Sequence, residues 1–342
     1  MTMRVVTGGL QTTVQDLGRI GHQRDGVPAG GAMDRLALRV ANLLVGNDES
    51  AAGLEAALIG PAITFEQSAL IAITGGEFGA AINGMPVPAW HAVFVHAGAT
   101  LRFGHPRVGC RIYVAVAGGI DVPPVFGSRS TYLRASFGGY DGRPLRSGDV
   151  LHFGTMEPRA RRTSNGYTTA FVNASTGGAA TAARWTVSHS IRPPYSDDPI
   201  VRVVAGAHVD TLDDASRERL ASATFRVSST SDRMGYRLEG AKLTLRAPVE
   251  LLSEAVAFGT VQLPPGGDPI VLMADRATTG GYPRLAEVAS VDLPLVAQLK
   301  PGDRLRFRFV SIEDAQRALL EQELEIAQAR AAISLLRSRE LS

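Results

Sequence analysis

The sequence PGDRLRF at residues 301–307 begins with a Gly turn and continues as an alternating strand that places Leu305 and Phe307 on one face. The same pattern occurs as AGATLRF at residues 97–103 and as SGDVLHF at residues 147–153. Two copies lie in the first half of the chain and one lies near its end. The repeat therefore predicts barrel-like β folding with two similar β units.

Short β-branched runs between turn residues extend this prediction to the rest of the chain. Residues 69–74 (ALIAIT) and 111–117 (RIYVAVA) have the composition of buried strands. Asn83-Gly84 predicts a tight hairpin because this pair accepts the positive φ angles of a type I′ turn. We predict a mainly β fold with few helices.

Two segments have helical spacing. Residues 33–45 form an amphipathic pattern that Gly46 ends, and Asp34 at its start favours a helix cap over an anion site. The second helix begins after Ser311, an N-cap with Asp314 three residues on, and carries apolar residues at alternating three and four spacing. This C-terminal helix could dock on its own domain or mediate self-association or partner binding, and the sequence leaves these alternatives open.

The length of 342 residues predicts about two domains. Residues 157–196 are rich in Arg, Ser, Thr, Ala and Gly and predict an inter-domain connection. We divide the chain into residues 1–190 with that connection, residues 191–310, and the terminal helix at 311–342. The apolar runs are too short to span a membrane, and residues 1–8 lack the apolar core of a signal peptide, which predicts a cytoplasmic protein.

Residue usage argues against several kinds of site. Cys110 is the only cysteine and lies in a predicted strand, and the histidines lack metal-ligand spacing, so no metal site is predicted. The only lysines are Lys242 and Lys300, and neither follows the glycine that a phosphate-binding loop requires. The net charge of +2 and interspersed acids argue against nucleic-acid binding.

Three polar, Gly-rich stretches of the second half are candidates for chemistry. They are STSDRMGYRL at residues 229–238, QLPPGGDP at 262–269 and MADRATTGGYP at 273–283. The hydroxyls and unhindered N–H groups of the third would suit a carboxylate, carbamate or phosphate, although Gly-Gly-Tyr-Pro also describes an ordinary wide loop.

The charged residues of these stretches each have two interpretations. Arg233 and Arg237 could hold an anion through paired hydrogen bonds or could stack on a tyrosine. Asp275 could act as a base or orient a ligand, or it could form a salt bridge to Arg276 or Arg284. The residues alone do not name a reaction.

At six motifs the sequence resembles the biotin-dependent carboxyltransferase-like family, over about residues 5–309. This family includes components of 5-oxoprolinases and allophanate hydrolases, an antagonist of a sporulation-kinase inhibitor, and a region of urea carboxylase. The motifs are TVQDLG at residues 13–18, GAMD at 31–34, AVAGGIDV at 115–122, GSRSTY at 127–132, DRMGYRLEG at 232–240 and DRATTGGYP at 275–283.

The resemblance implies two tandem cyclophilin-like β-barrel domains. It implies one component of an ATP-dependent 5-oxoprolinase that opens 5-oxoproline to glutamate, together with an inhibitor-like B subunit and an A subunit. The alternatives are an allophanate hydrolase or urea carboxylase type of component, which would transfer a carboxyl group from carboxybiotin, and a non-catalytic antagonist of an inhibitor-like partner. ATP and any biotin would be carried by, or bound with, other chains.

On this interpretation, the site binds a small amide substrate. Asp275 would orient the nitrogen nucleophile or the substrate amide, and Arg233 and Arg276 would hold anionic oxygen. The residues expected to bind the substrate are Thr278, Thr279, Gly280, Gly281, Tyr282, Gln262, Arg237 and Met234.

Overall fold

The computed structural model describes residues 1–153 and 178–339, with side chains up to residue 336. The chain divides into two compact units. Unit 1 comprises Met1–Gly18, Asp34–Arg192 and Leu324–Ser342, and unit 2 comprises Arg19–Met33 and Pro193–Glu323. Residues 157–177 of the predicted connection lie outside the described residues. The domain boundaries drawn from the sequence stay a prediction.

The described residues of unit 1 form two six-stranded sheets, helix α1 (Arg35–Val45) and the last part of the C-terminal helix. The first sheet has the order β11-β1-β4-β9-β6-β7 and the second β12-β8-β5-β10-β3-β2. The strands are β1 (Thr2–Thr7), β2 (Gln11–Gln15), β3 (Gly53–Ala57), β4 (Ala62–Phe65), β5 (Ala69–Glu77), β6 (Ala81–Ile82), β7 (Met85–Pro86), β8 (Ala92–Val95), β9 (Thr100–Arg102), β10 (Val108–Val116), β11 (Val150–His152) and β12 (Ala180–Ala182).

Local signals in the sequence set several of these elements. The β6–β7 hairpin turns at Asn83 and Gly84, with φ angles of 49° and 83°, as the Asn-Gly pair predicts. Helix α1 begins after Asp34, whose Oδ1 accepts a hydrogen bond from the Ala37 backbone N–H at 2.9 Å. It ends at Gly46, which has a left-handed φ of 80°. The predicted helix cap at Asp34 is confirmed.

A buried hydrogen-bonded chain links α1 to strands β3 and β10. The Tyr113 hydroxyl donates to Glu55 Oε2 and accepts from the Asp34 backbone N–H, both at 2.8 Å. Burial, followed by the charge of Glu55, raises the pKa of the Tyr113 phenol well above its usual value. Tyr113 therefore stays neutral and satisfies two buried polar groups.

The TVQDLG and GSRSTY motifs meet around the carboxylate of Asp16. Asp16 Oδ1 accepts from the hydroxyls of Ser128 and Ser130 at 2.6 Å each, and Oδ2 accepts from the Arg129 backbone N–H at 2.5 Å. Asp16 is 8% exposed. Several donors from residues 128–130 thus satisfy the buried Asp16 carboxylate, and these hydrogen bonds join two segments of unit 1 that are far apart in the sequence.

Unit 2 is a closed barrel of seven strands, in the order β13-β20-β17-β18-β15-β14-β21. A short two-stranded sheet, two helices and the first part of the C-terminal helix accompany it. The strands are β13 (Ile200–Ala205), β14 (Phe225–Val227), β15 (Gly235–Glu239), β16 (Glu254–Ala255), β17 (Thr260–Gln262), β18 (Ile270–Leu272), β19 (Thr279–Gly280), β20 (Arg284–Val288) and β21 (Arg304–Phe309), and the helices are α2 (Asp214–Ser222) and α3 (Leu293–Ala297).

Strand β21 carries the PGDRLRF pattern and closes the barrel, because it pairs in parallel with β13 and antiparallel with β14. Leu305 and Phe307 are 0% and 2% exposed in the barrel core. The other two copies form β9 and β11 in unit 1. The predicted mainly β fold with few helices and a C-terminal helix is confirmed.

The C-terminal helix is α4 (Ile312–Arg339), and the Ser311 hydroxyl caps it by accepting from the Asp314 N–H at 3.0 Å. On the predicted apolar seam, Ile326 and Ile333 are 0% and 6% exposed. This burial supports docking on the protein itself, whereas self-association stays a prediction. Among the described helices, none combines the length and apolar character needed to cross a membrane. The cytoplasmic location also stays a prediction.

Candidate functional site

Two of the Gly-rich stretches meet where strands β15 and β18 lie side by side. The strands are antiparallel, so residues just before β15 lie beside residues just after β18. The Asp275 backbone N–H donates to the Arg233 carbonyl at 2.8 Å, and that of Met273 donates to the Met234 carbonyl at 2.9 Å. The barrel register therefore brings DRMGYRLEG and DRATTGGYP together.

Arg233 and Asp275 form a buried ion pair at this point. Arg233 donates from Nε to Asp275 Oδ2 at 2.9 Å and from Nη2 to Oδ1 at 3.0 Å. Their side chains are 8% and 5% exposed. Nη2 of Arg233 also donates to the Gly31 carbonyl at 2.6 Å. This two-point contact fixes the orientation of the Asp275 carboxylate.

Arg276 and Arg284, the salt-bridge partners suggested for Asp275 by the sequence, make other contacts. Arg276 donates from Nε to the Val256 carbonyl at 3.2 Å, and its guanidinium lies 6.0 Å from the ring centroid of Phe258. Arg284 donates to Glu254 Oε2 at 2.6 Å. Arg276 is 7% exposed, so its cation is a further buried charge of this region.

The Thr-Thr-Gly-Gly segment pairs with the chain before β17. Strand β19 pairs with β16, and the Val256 N–H donates to the Thr278 carbonyl at 3.3 Å. Thr278 and Gly280 are half-buried and Thr279 is exposed. A methyl group on Gly280 would lie only 2.5 Å from Gln262 Nε2, so the carboxamide of Gln262 packs directly against this glycine. Gln262 itself is 4% exposed.

The end of the same segment lines an open cleft of about 910 Å³. Gly281, Tyr282 and Pro283 form one part of its wall, and residues 242–245, 247–251 and 263–267 form the rest. Tyr282 is 45% exposed. The volume lies in the range common for small-molecule sites. The loop thus adjoins a cavity and is not packed shut in the barrel core.

Arg237 and Met234 are less closely connected to this group. Arg237 is exposed on β15, where it pairs with Ile270. Met234 is half-buried and reaches the site through its backbone carbonyl, which accepts from Met273. The structure therefore unites Asp275 and Arg233 in one contact and Gly280 and Gln262 in another, and leaves Arg237 at the surface.

An acidic group that carried no prediction from the sequence lies close to Arg276. Glu287 on β20 accepts a hydrogen bond from the Thr260 hydroxyl at 2.7 Å. Burial raises the pKa of the Glu287 carboxyl, although this hydrogen bond and the charges of Arg284 and Arg276 oppose the shift. Its signal in the sequence is weak, because a single Glu in a strand ordinarily faces solvent.

Arg19 and the two glycines that follow Ala29 also carried no site prediction. The Gly31 carbonyl accepts a hydrogen bond from Arg233, and Gly30 lies beside Asp275. The Gly30-Gly31 pair was a visible signal, since consecutive glycines permit close backbone approach. In the part of the chain that the structure describes, no cluster of three or more His, Cys, Asp or Glu could hold a metal ion.

Comparison with known proteins gives one family. The carboxyltransferase domain, subdomain A and B, matches residues 25–309. The C subunit of 5-oxoprolinase from Haemophilus influenzae is 36% identical over 321 residues, covering 94% of this chain and 95% of that protein. The protein of the same name from Escherichia coli is 37% identical over the same shares.

A solved structure is similar over nearly the whole chain as well. The Kluyveromyces lactis urea carboxylase superimposes with a TM-score of 0.84 at 31% identity. The match covers 96% of this chain and 29% of that one, so the chain corresponds to less than a third of the larger enzyme. The sequence match and the barrel agree, and the chain belongs to the family of the carboxyltransferase domain, subdomain A and B.

Proposed function

We propose that the chain is the C subunit of an ATP-dependent 5-oxoprolinase, which works with an inhibitor-like B subunit and an A subunit to hydrolyse 5-oxoproline to glutamate. One observation carries this proposal: the chain matches two proteins named as the C subunit of 5-oxoprolinase over 95% of their length. The urea carboxylase match covers only 29% of that chain. Similarity from end to end favours the same type of protein.

In this reaction the ring C–N bond of the cyclic amide breaks, the oxygen of water joins the carbonyl carbon, and the nitrogen takes up a proton. A carboxylate has about four lone-pair sites, of which Arg233 occupies two at Asp275. We assign the remaining sites to the ring N–H of the substrate. Asp275 then orients the amide, and Arg233 holds the carboxylate in place.

The neighbouring loop supplies hydrogen-bond donors. We assign the hydroxyls of Thr278 and Thr279 and the backbone of Gly280 and Gly281 to substrate oxygen, with the buried cation of Arg276 stabilising negative charge. Tyr282 and Gln262 complete this binding set, the first at the cleft and the second behind Gly280. Arg237 and Met234 also belong to the proposed substrate-binding set.

The described residues do not form a lysine-based phosphate loop. Lys242 donates to Asp268 Oδ2 at 2.5 Å and to the Gly266 carbonyl at 3.1 Å, and Lys300 donates to Asp303 Oδ1 at 2.8 Å. We therefore propose that ATP is bound by, or together with, the partner subunits. Any biotin in the complex would be attached to another chain.

The test is glutamate formation from 5-oxoproline and ATP by the complex reconstituted with the A and B subunits. Asp275→Asn is expected to lower turnover by about 100-fold, because a neutral side chain orients the amide less well. Asp292→Asn is a matched control, since Asp292 forms another two-point ion pair in unit 2, with Arg202 at 2.9 and 2.5 Å. Full turnover in Asp275→Asn would remove the proposed role, and no glutamate from the wild-type complex would remove the proposed function.

A second candidate is a urea carboxylase or allophanate hydrolase type of component. The structural likeness to urea carboxylase, with its TM-score of 0.84, favours it. The same reconstituted complex would then be inactive on 5-oxoproline and would consume carboxybiotin in the presence of urea. The two candidates are separated by which of these substrates disappears.

A further inference from the structure

Arg19 is a buried arginine to which the proposed reaction assigns no role. Residues 19–33 belong to unit 2, although most of that unit follows residue 192. Arg19 is only 1% exposed. Its backbone N–H donates to the Ala29 carbonyl at 2.7 Å, which closes the segment into a loop and brings Arg19 beside Gly30. The Arg19 side chain is therefore held in a buried position beside Gly30.

The Gly30-Gly31 pair lets this loop approach the Arg233–Asp275 ion pair. A methyl group on Gly30 would lie 3.2 Å from Arg19 Nη1 and 3.6 Å from Asp275 Oδ1. The guanidinium of Arg19 and the carboxylate of Asp275 thus lie against the same point of the backbone. Gly30 and Gly31 have φ angles of 61° and 89°, which favour glycine at both positions.

The charges of this group explain why a second cation belongs there. Arg233 contacts both oxygens of Asp275 through its Nε and Nη2 atoms. A second cation near Oδ1 attracts the Asp275 carboxylate strongly, because opposite charges attract each other far more in a buried region than in water. We propose that Arg19 is a positioning residue, which acts across Gly30 on the Asp275 carboxylate and holds it ready for the substrate amide. Its catalytic consequence rests on the role given to Asp275 in the proposed function.

The contact can be tested without any activity, by urea unfolding of the full chain. The variants are Arg19→Gln, Asp275→Asn and the double variant. Arg19→Gln is expected to raise the unfolding equilibrium constant, and by a factor at least about ten-fold smaller when Asp275 is already Asn, because its partner charge is gone. Arg19→Gln combined with Asp292→Asn is the control, and should be additive within about three-fold.

Additive effects of Arg19→Gln and Asp275→Asn would overturn the proposal. If Arg19→Gln does not fold, Arg19→Met, which removes the charge but keeps a long side chain, replaces it in the same cycle. Coupling between Arg19→Met and Asp275→Asn would support the proposal, and its absence would refute it.

The catalytic consequence is measured in the reconstituted complex, per folded molecule. Arg19→Gln should lower kcat by about ten-fold or more with KM changed less than about three-fold, and Arg19→Lys should recover most of the loss. If Arg19 had only a structural role, Arg19→Gln would leave kcat per folded molecule unchanged, and that result would refute the positioning role. A wild-type complex that releases no glutamate from 5-oxoproline would instead refute the proposed function, and the unfolding cycle would still decide whether Arg19 acts on Asp275.

Discussion

Asp275→Asn should destabilise unit 2 more than any loss of a surface ion pair would. The carboxylate is 5% exposed and Arg233 is 8% exposed, so water cannot easily replace the two hydrogen bonds between them. Removing one partner of a buried pair costs about 3–5 kcal/mol. Asparagine retains one acceptor, which places the expected loss near the lower limit, at about 3 kcal/mol.

The matched variant Asp292→Asn sharpens this prediction. Asp292 has nearly the same exposure, 4%, but its partner Arg202 is 33% exposed and can be hydrated after the substitution. The expected loss is about 1–2 kcal/mol. The comparison therefore isolates the effect of burying the unpaired guanidinium.

Urea unfolding of both variants, with calorimetry as a second measurement, checks the difference. A loss of about 3 kcal/mol corresponds to a lowering of Tm by about 6–12 °C for a unit of this size. The reasoning is refuted if Asp275→Asn unfolds within about 1 kcal/mol of wild type, or if Asp292→Asn costs more.

Three further predictions concern the loop, the Tyr113 network and the terminal helix. Gly280→Ala should lower the free energy of unfolding in urea by about 1–3 kcal/mol, because its methyl group would come 2.5 Å from Gln262 Nε2. The methyl group of Gly281→Ala would meet no atom closer than 3.4 Å, so this control should cost less. Equal losses would contradict the packing of Gly280 against Gln262. The raised pKa of the Tyr113 phenol contributes stability that is complete below about pH 10 and is lost as pH rises above it, because only the phenol of the unfolded chain then ionises. Tyr113→Phe should abolish this part of the loss of stability at alkaline pH, measured by unfolding as a function of pH. An unchanged alkaline slope would argue against this role of Tyr113. Ile326→Ala should lower the free energy of unfolding by about 2–5 kcal/mol and Leu320→Ala by less than about 0.5 kcal/mol, since the two side chains are 0% and 70% exposed. Similar chemical-denaturation midpoints for the two variants would show that α4 does not dock through Ile326.

Much of the local structure follows from short stretches of sequence. The Asn83-Gly84 hairpin, the Asp34 cap and the PGDRLRF strand all depend on residues within a few positions of one another. Such signals specify turns, caps and strand faces because backbone dihedral preference and side-chain alternation are local properties. They also identified the Thr-Thr-Gly-Gly segment as a loop of interest, although not what it contacts.

The sequence by itself determined the strands, the turns, the helix caps and the family motifs, since each depends on neighbouring residues or on an ordered set of motifs. Only the tertiary structure decided that Asp275 pairs with Arg233, 42 positions away, and not with its neighbour Arg276. It also decided that Gly30 lies against both Arg19 and Asp275. The physical reason is that ion-pair partners are selected by barrel register and burial, which bring together charges that are far apart along the chain.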